Sequence, residues 1–141
     1  MDKLLEFAAN HWLLVLALVG VIVALIANEV YLQLQGRDAL DPEAATRLYN
    51  REDAVFVDVR DDNAFVSNHL PGAVHVPQSH LEQHRERLER LRGRPVIAYG
   101  EAGGIARVVA SMRGMGLEPV YQLRGGFAAW RDRGLPTEGR G

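Results

Sequence analysis

The stretch Val96-Ile97-Ala98-Tyr99-Gly100-Glu101-Ala102-Gly103-Gly104-Ile105 decides the architecture. Four apolar residues in a row read as a short strand covered on both faces. A glycine-rich turn follows and leads at once into Ile105, Val108, Val109 and Met112, spaced i, i+3, i+4, i+7 like one face of a helix that stops near Gly114–Gly116. Backbone N–H groups that converge at such a helix start can cradle an anion. In open sheets built from strand–turn–helix units, sites form at the carboxyl ends of the strands. The Gly100–Ile105 loop is therefore the place to look for chemistry.

Working outward, Ala54–Val59 and Val120–Leu123 read as further buried strands, and Ala73–Val76 as a shorter one. Asp41-Pro42-Glu43 opens a helix, with an N-cap aspartate, proline at the first helical position and an acid in the first turn. Leu81, Leu88 and Leu91 share a helical stripe with His84 in the same row. Strands alternating with helices, without a hairpin turn signal, predict right-handed crossovers and an α/β fold with a parallel sheet flanked by helices.

The amino-terminal part obeys a different rule. Trp12 to Ala27 is a run of sixteen residues without one polar side chain. As a helix it is about 24 Å long; extended back to Phe7 it reaches about 31 Å, enough for a hydrocarbon core. A span of about residues 7–28 is expected, closed by Asn28 and Glu29, with Trp12 and Tyr31 as interfacial aromatics. A cleaved signal peptide lacks its basic start and small-residue cleavage site here. A core helix this apolar all round is out of scale with so small a chain, and a surface-lying helix would need a polar face. Residues 1–36 thus read as a membrane anchor with a connector, Val30–Leu40 running on towards the soluble part, and residues 37–141 as one domain. Arg37, Arg47 and Arg51 against Lys3 alone predict a single-pass protein of the inner membrane, its amino terminus outside and its domain cytoplasmic. Gly20 and Ala24 form a small-xxx-small pair that would permit weak helix pairing.

The whole chain has 141 residues, a net charge of −2 and no cysteine. Outside residues 1–36 the charges balance, which argues against nucleic acid as a partner. Arg85, Arg87, Arg90, Arg92 and Arg94 are dense, but Glu82, Glu86 and Glu89 interleave with them at i,i+4 spacing, as on a solvated helix face. The missing cysteine excludes disulfides, thiolate nucleophiles and cysteine-ligated metals.

Four segments in order resemble the rhodanese (sulfurtransferase) domain family: Asp58-Val59-Arg60, similar to its D-x-R; His69-Leu70-Pro71-Gly72-Ala73, similar to its H-x-P-G-A; the loop after Tyr99; and Arg124-Gly125-Gly126-Phe127-Ala128-Ala129-Trp130, similar to its G-G-x-x-x-W. The resemblance covers about residues 40–137. It implies an active loop of the form C-x-x-G-x-R-S, whose cysteine carries a persulfide stabilised by loop amides and the arginine. Placed on this sequence, the nucleophile position is Gly100, the arginine position Ile105 and the serine position Ala106; only Gly103 matches. Glu101 adds a negative charge to the would-be cradle. Serine cannot form and release an S–S bond, and Ser67, Ser79 and Ser111 are not in the loop. Sulfur transfer and cysteine-dependent phosphatase chemistry are therefore not expected.

The remaining candidates read as structural. Asp58 and Arg60 are expected to organise the loops as an ion pair, and His69 with Pro71 and Gly72 to fix a turn. Trp130 is expected to anchor the last helix, with a partner-facing role as its alternative. His80 and His84, four apart on one helix, have the spacing of a two-histidine metal face but lack a third ligand, and no metal or other cofactor is expected. The expected function is a catalytically silent, membrane-tethered interaction module whose partner is another membrane or membrane-associated protein. A non-catalytic sensor of a small anion or thiol at the Gly100–Ile105 loop is the alternative. An enzyme using His69, Asp58 and Glu101 ranks last, because no nucleophile–base–orienter set is visible.

Overall fold

The structure, a computed structural model, describes residues 1–36, 38–102 and 104–139. The chain divides into two compact units, Met1–Arg37 and Asp38–Gly141.

The first unit holds helices α1 (Asp2–Asn10) and α2 (Trp12–Gly36). At His11 the backbone leaves the helical region, with φ −127° and ψ 43°. This break falls inside the expected span of about residues 7–28. Phe7 belongs to α1, and the stretch long and apolar enough to cross a membrane is Trp12–Tyr31, 20 residues with mean hydropathy 2.6 and none of it buried. Asn10 and His11 are weak helix formers where a mixed polar and apolar pattern gives way to a wholly apolar one.

The second unit contains a five-stranded sheet in the order β1-β5-β4-β2-β3: β1 (Ala39–Leu40), β2 (Val55–Asp58), β3 (Val74–His75), β4 (Val96–Tyr99) and β5 (Val120–Leu123). Every pairing is parallel, as the alternation of strands and helices predicts. All four residues of β2 and of β4 are buried, because both faces of the sheet are covered. On one face Val55, Val57, Val96 and Ala98 pack with α5 (Arg85–Glu89) and α6 (Ala106–Gly114) through Leu88, Val108, Val109 and Met112. On the other, Phe56, Ile97 and Tyr99 pack with α3 (Pro42–Glu52) and α7 (Gly126–Asp132) through Ala45, Phe127 and Trp130. Each fully buried side chain of this size stabilises the fold by roughly 1.5–3 kcal/mol.

Three elements depart from the expectation. The connector ends in strand β1, which pairs with β5 through Ala39↔Gln122 and Leu40↔Leu123; two residues are too few to show a period. The helix α4 (Asp62–Ser67) follows Asp61, whose side chain caps it by accepting from the Ala64 N–H at 2.8 Å. The leucine-striped segment is not one helix: two 3₁₀ turns, Gln78–His80 and Glu82–His84, precede the short α5. Leu88 and Leu91 are still buried, and Arg85 pairs with Glu89 at 3.1 Å and with Glu82 at 3.6 Å. Asp41 stands at the N-cap of α3 as expected, but its carboxylate accepts from Arg124 at 3.0 Å instead of from the helix.

Candidate functional site

Asp58 and Tyr99 are register partners at the carboxyl ends of adjacent parallel strands. The Tyr99 hydroxyl donates to Asp58 Oδ2 at 2.8 Å and accepts from the Leu70 N–H at 3.1 Å. Arg60, two residues past the strand, closes on the same carboxylate. Its backbone N–H donates to Oδ1 at 2.8 Å, Nε reaches both oxygens at 3.1 Å, and Nη2 reaches Oδ2 at 2.8 Å. Nη2 also donates to the carbonyls of Ala64 and Asn68, and the guanidinium lies over the Phe127 ring, 4.1 Å from its centroid. Asp58 is fully buried and Arg60 is 8% exposed. A buried ion pair is tolerable only when its hydrogen bonds are complete, and no buried side-chain nitrogen or oxygen among the described residues lacks a partner. Burial works against the Arg60 charge, but the hydrogen bonds and charge of Asp58 more than offset it, so the guanidinium pKa is raised. Burial, then the Asp58 charge, pushes the Tyr99 phenol well above its ordinary value, leaving it a neutral donor. Tyr99 was legible in the sequence only as the last apolar residue of a strand; its hydroxyl is the centre of the site.

The loop after Tyr99 is held from beneath by its backbone. The Gly100 and Glu101 carbonyls accept from the N–H groups of Phe127 and Ala128 at 2.8 and 2.9 Å, in the first turn of α7. Gly126 sits directly under the loop at φ 61°, where a Cβ would stand 2.6 Å from the Gly100 carbonyl oxygen. With Gly125 at φ 76°, this explains the glycine pair that precedes Trp130. Trp130 is 2% exposed, meets Phe56 edge-on at 5.3 Å and donates from its indole to the Pro136 carbonyl at 2.9 Å. It is a buried anchor, which overturns the partner-facing alternative.

Between loop and α4 lies an open cavity of about 390 Å³, with Arg60, Gln78, Gly100, Glu101 and Ile105 on its walls. It adjoins a cavity of about 530 Å³ that runs over Arg60 towards Pro77 and Ser79. The nucleophile position carries no side chain. Ile105, at the arginine position, is 3% exposed and belongs to the α6-side core. Gly103 lies outside the described residues, Ala102 and Gly104 are exposed, and Arg107 points to solvent on α6. Glu101 reaches back so that its Oε2 stands 3.3 Å from Arg60 Nη1, with its side chain 59% exposed. Arg60, the one cation at the cavity wall among the described residues, thus already faces a carboxylate. Another cleft of about 530 Å³, at the amino end of β5, is lined by Asp38, Arg113 and Tyr121, with Arg113 and Asp38 paired at 2.6 Å. It shares no residue with this site.

The other sequence candidates are placed as follows. Leu70-Pro71-Gly72-Ala73 is a tight turn closed by the Ala73 N–H on the Leu70 carbonyl at 3.1 Å, with Gly72 at φ 66°; proline second and glycine third is the pattern of a type II turn. His69 donates from Nδ1 to the Phe65 carbonyl at 2.8 Å and exchanges both backbone hydrogen bonds with Glu138. Its ring stacks on Phe65 at 4.1 Å, and His75 stacks on Phe65 at 4.4 Å while donating to the Arg60 carbonyl. Phe65, His75 and Glu138 gave no signal in the sequence, because their roles exist only after α4 and the carboxyl-terminal segment meet. His80 and His84 lie on successive 3₁₀ turns and not on one α-helix, which removes the supposed metal face. Among the described residues no cluster of three metal-ligating side chains occurs. Ser79 does line the adjoining cavity and bonds the His80 ring at 2.8 Å. No carboxylate among the described residues orients that histidine, so the pair lacks the third member a nucleophilic serine needs.

A buried Asp–Arg–Tyr network under a strand-end loop, seated on a glycine pair, on a parallel sheet of order β1-β5-β4-β2-β3, defines the class. The family model of the rhodanese-like domain matches residues 41–133, and the chain belongs to that family. Escherichia coli YibN is 28% identical over 138 residues, 96% of either chain. Thiosulfate sulfurtransferase GlpE of Pseudomonas syringae is 34% identical over 92 residues, 65% of this chain and 85% of that one. Among solved structures, the BH2092 protein of Bacillus halodurans superposes with a TM-score of 0.65 at 25% identity, covering 80% of this chain and 86% of its own.

Proposed function

We propose that the protein is a membrane-tethered rhodanese-like domain that acts by binding another protein, not by transferring sulfur. One observation carries this reading: the active-loop scaffold is intact while position 100 is glycine in a chain without cysteine. The ion pair between Glu101 and Arg60 adds to it, since a bound oxyanion would have to displace a carboxylate. The GlpE relative is a thiosulfate sulfurtransferase; this chain has no thiol to take up a sulfur atom.

The span Trp12–Tyr31 supports the tether, and Arg47 and Arg51 beyond it favour a cytoplasmic domain in the inner membrane. The surface suggests where recognition lies. Among the described residues of the domain, Val66 is the one exposed large apolar side chain, whereas most of those between Trp12 and Tyr31 are exposed. Interaction surfaces need a contiguous apolar patch or desolvated anchors, so we place the main contact on the Trp12–Tyr31 stretch of α2. The partner is a membrane protein met in the bilayer plane, where tethering raises its effective concentration.

Crosslinking in intact membranes and capture from detergent, comparing the native chain with one whose residues 1–36 are replaced by an unrelated anchor, tests this. Loss of specific adducts on the swap is expected. Recovery of the native chain only as an uncrosslinked monomer with several reagents overturns the reading. The competing sensor reading predicts heat on titration with thiosulfate, phosphate or a persulfide at millimolar concentration; silence is expected.

A further inference from the structure

The span leaves α1 to be explained. At about 100° per residue, Asp2, Lys3, Glu6 and Asn10 fall within about 100° of arc, and Leu4, Leu5, Phe7, Ala8 and Ala9 fill the rest. Helices that lie between water and an apolar medium segregate their side chains in this way, whereas a helix crossing hydrocarbon is apolar all round. None of its residues is buried, and Leu4, Leu5 and Phe7 are 72%, 68% and 55% exposed. The change in pattern coincides with a change in backbone. His11 leaves the helical region, although its N–H donates to the Phe7 carbonyl at 2.9 Å and its carbonyl accepts from Val15 at 3.1 Å. Its ring packs on Phe7, with centroids 4.7 Å apart. Starting at Trp12, 20 residues already give about 30 Å of helix, so the crossing needs nothing from α1.

We propose that α1 is an interfacial helix that rests on the bilayer surface, with Leu4, Leu5 and Ala8 in the acyl boundary and Lys3, Glu6 and Asn10 facing water. This rests on α2 spanning the membrane. Lipid is the occupant because α1 is continuous with the span, which holds it at the one depth where headgroups and acyl chains meet. The polar face carries two acids against one base, so attraction to anionic lipid contributes nothing and zwitterionic vesicles suffice.

Because the chain has no cysteine, single spin labels can be placed in the full-length protein through Lys3→Cys, Leu4→Cys, Leu5→Cys, Glu6→Cys, Ala8→Cys and Asn10→Cys. Leu18→Cys and Ile22→Cys report on α2. After reconstitution in phosphatidylcholine vesicles, accessibility to oxygen and to a water-soluble nickel chelate is measured. Positions 4, 5 and 8 should favour oxygen severalfold over positions 3, 6 and 10, following the helical period. Equal nickel accessibility at all six places α1 in water and overturns the proposal. A monotonic rise in oxygen accessibility from 3 to 10 makes α1 part of the crossing and overturns it too. Dipolar broadening at 4, 5 and 8 that vanishes on dilution with unlabelled protein assigns the face to a second copy, with the same consequence. Nickel access at 18 and 22 removes the span itself, which separates failure of the tether from failure of the interfacial placement.

Discussion

Arg60 is held by one buried carboxylate and faces one exposed carboxylate, and the two contribute unequally. Asp58→Asn removes the charge that keeps the buried guanidinium in place and should cost about 3–5 kcal/mol. Glu101→Ala breaks a pair whose acid is 59% exposed, so solvent screening holds its cost below about 1 kcal/mol; denaturant titrations in detergent measure both. A cost above that for Glu101→Ala would make the pair a fold element. Tyr99 gives the domain an alkaline limit. Its pKa is raised in the folded chain, so the folded state holds the phenolic proton more tightly and contributes stability below about pH 10. Above that pH stability should fall by up to roughly 1.4 kcal/mol per pH unit, and Tyr99→Phe should flatten this slope while lowering stability at neutral pH. An unchanged slope in Tyr99→Phe assigns the limit to another group. At the loop, Gly100→Cys supplies a thiol but still leaves Glu101 nearby and an apolar Ile105 where the family's loop has arginine. It should form no thiocyanate from thiosulfate and cyanide; measurable turnover would show that the loop amides suffice alone.

Elements divide by whether their signal is local. Strands β2, β4 and β5 and helices α3 and α6 were legible, because buried apolar runs, an Asp-Pro-Glu start and a 3.6-residue stripe each specify structure without reference to distant parts. Strand β1 and helix α4 were not: the first exists through pairing with β5, and the second is six residues defined by the Asp61 cap and by the approach of His69 and His75. The 78–89 segment misled because Leu81 still packs against the core and Leu88 is still buried although two 3₁₀ turns replace the first part of the expected helix. Glycine positions measure how the loop and α7 depend on each other. Gly104→Ala meets only the strain of φ 78°, with open space around the added Cβ, and should cost about 1–2 kcal/mol. Gly126→Ala adds a collision with the Gly100 carbonyl and Ala102 nitrogen at 2.6 and 2.9 Å, and should cost clearly more. Equal melting temperatures for the two variants would mean the loop yields freely.

At the scale of the molecule, one unit exposes its apolar side chains and the other buries them. Alkaline carbonate should leave the full-length chain in the membrane at its uncleaved mass, while residues 38–141 alone should be soluble and monomeric. Release of the full chain, or a shortened mass, would end the tether reading. The family was legible because its motifs sit where the backbone is constrained: the carboxylate under the loop, the proline–glycine turn and the glycine pair. The interfacial character of α1 was hidden by reading the apolar run back to Phe7, since composition does not reveal a single non-helical residue at His11. Within the domain, the parallel sheet puts the loop at the carboxyl end of β4. Most consequential is the way the loop is seated. Its carbonyls are fastened by α7 amides and not by its own side chains, so positions 100–102 are a socket whose lettering can change while its shape persists. Foldability and reactivity are stored in different residues, so the mould keeps its shape around a glycine.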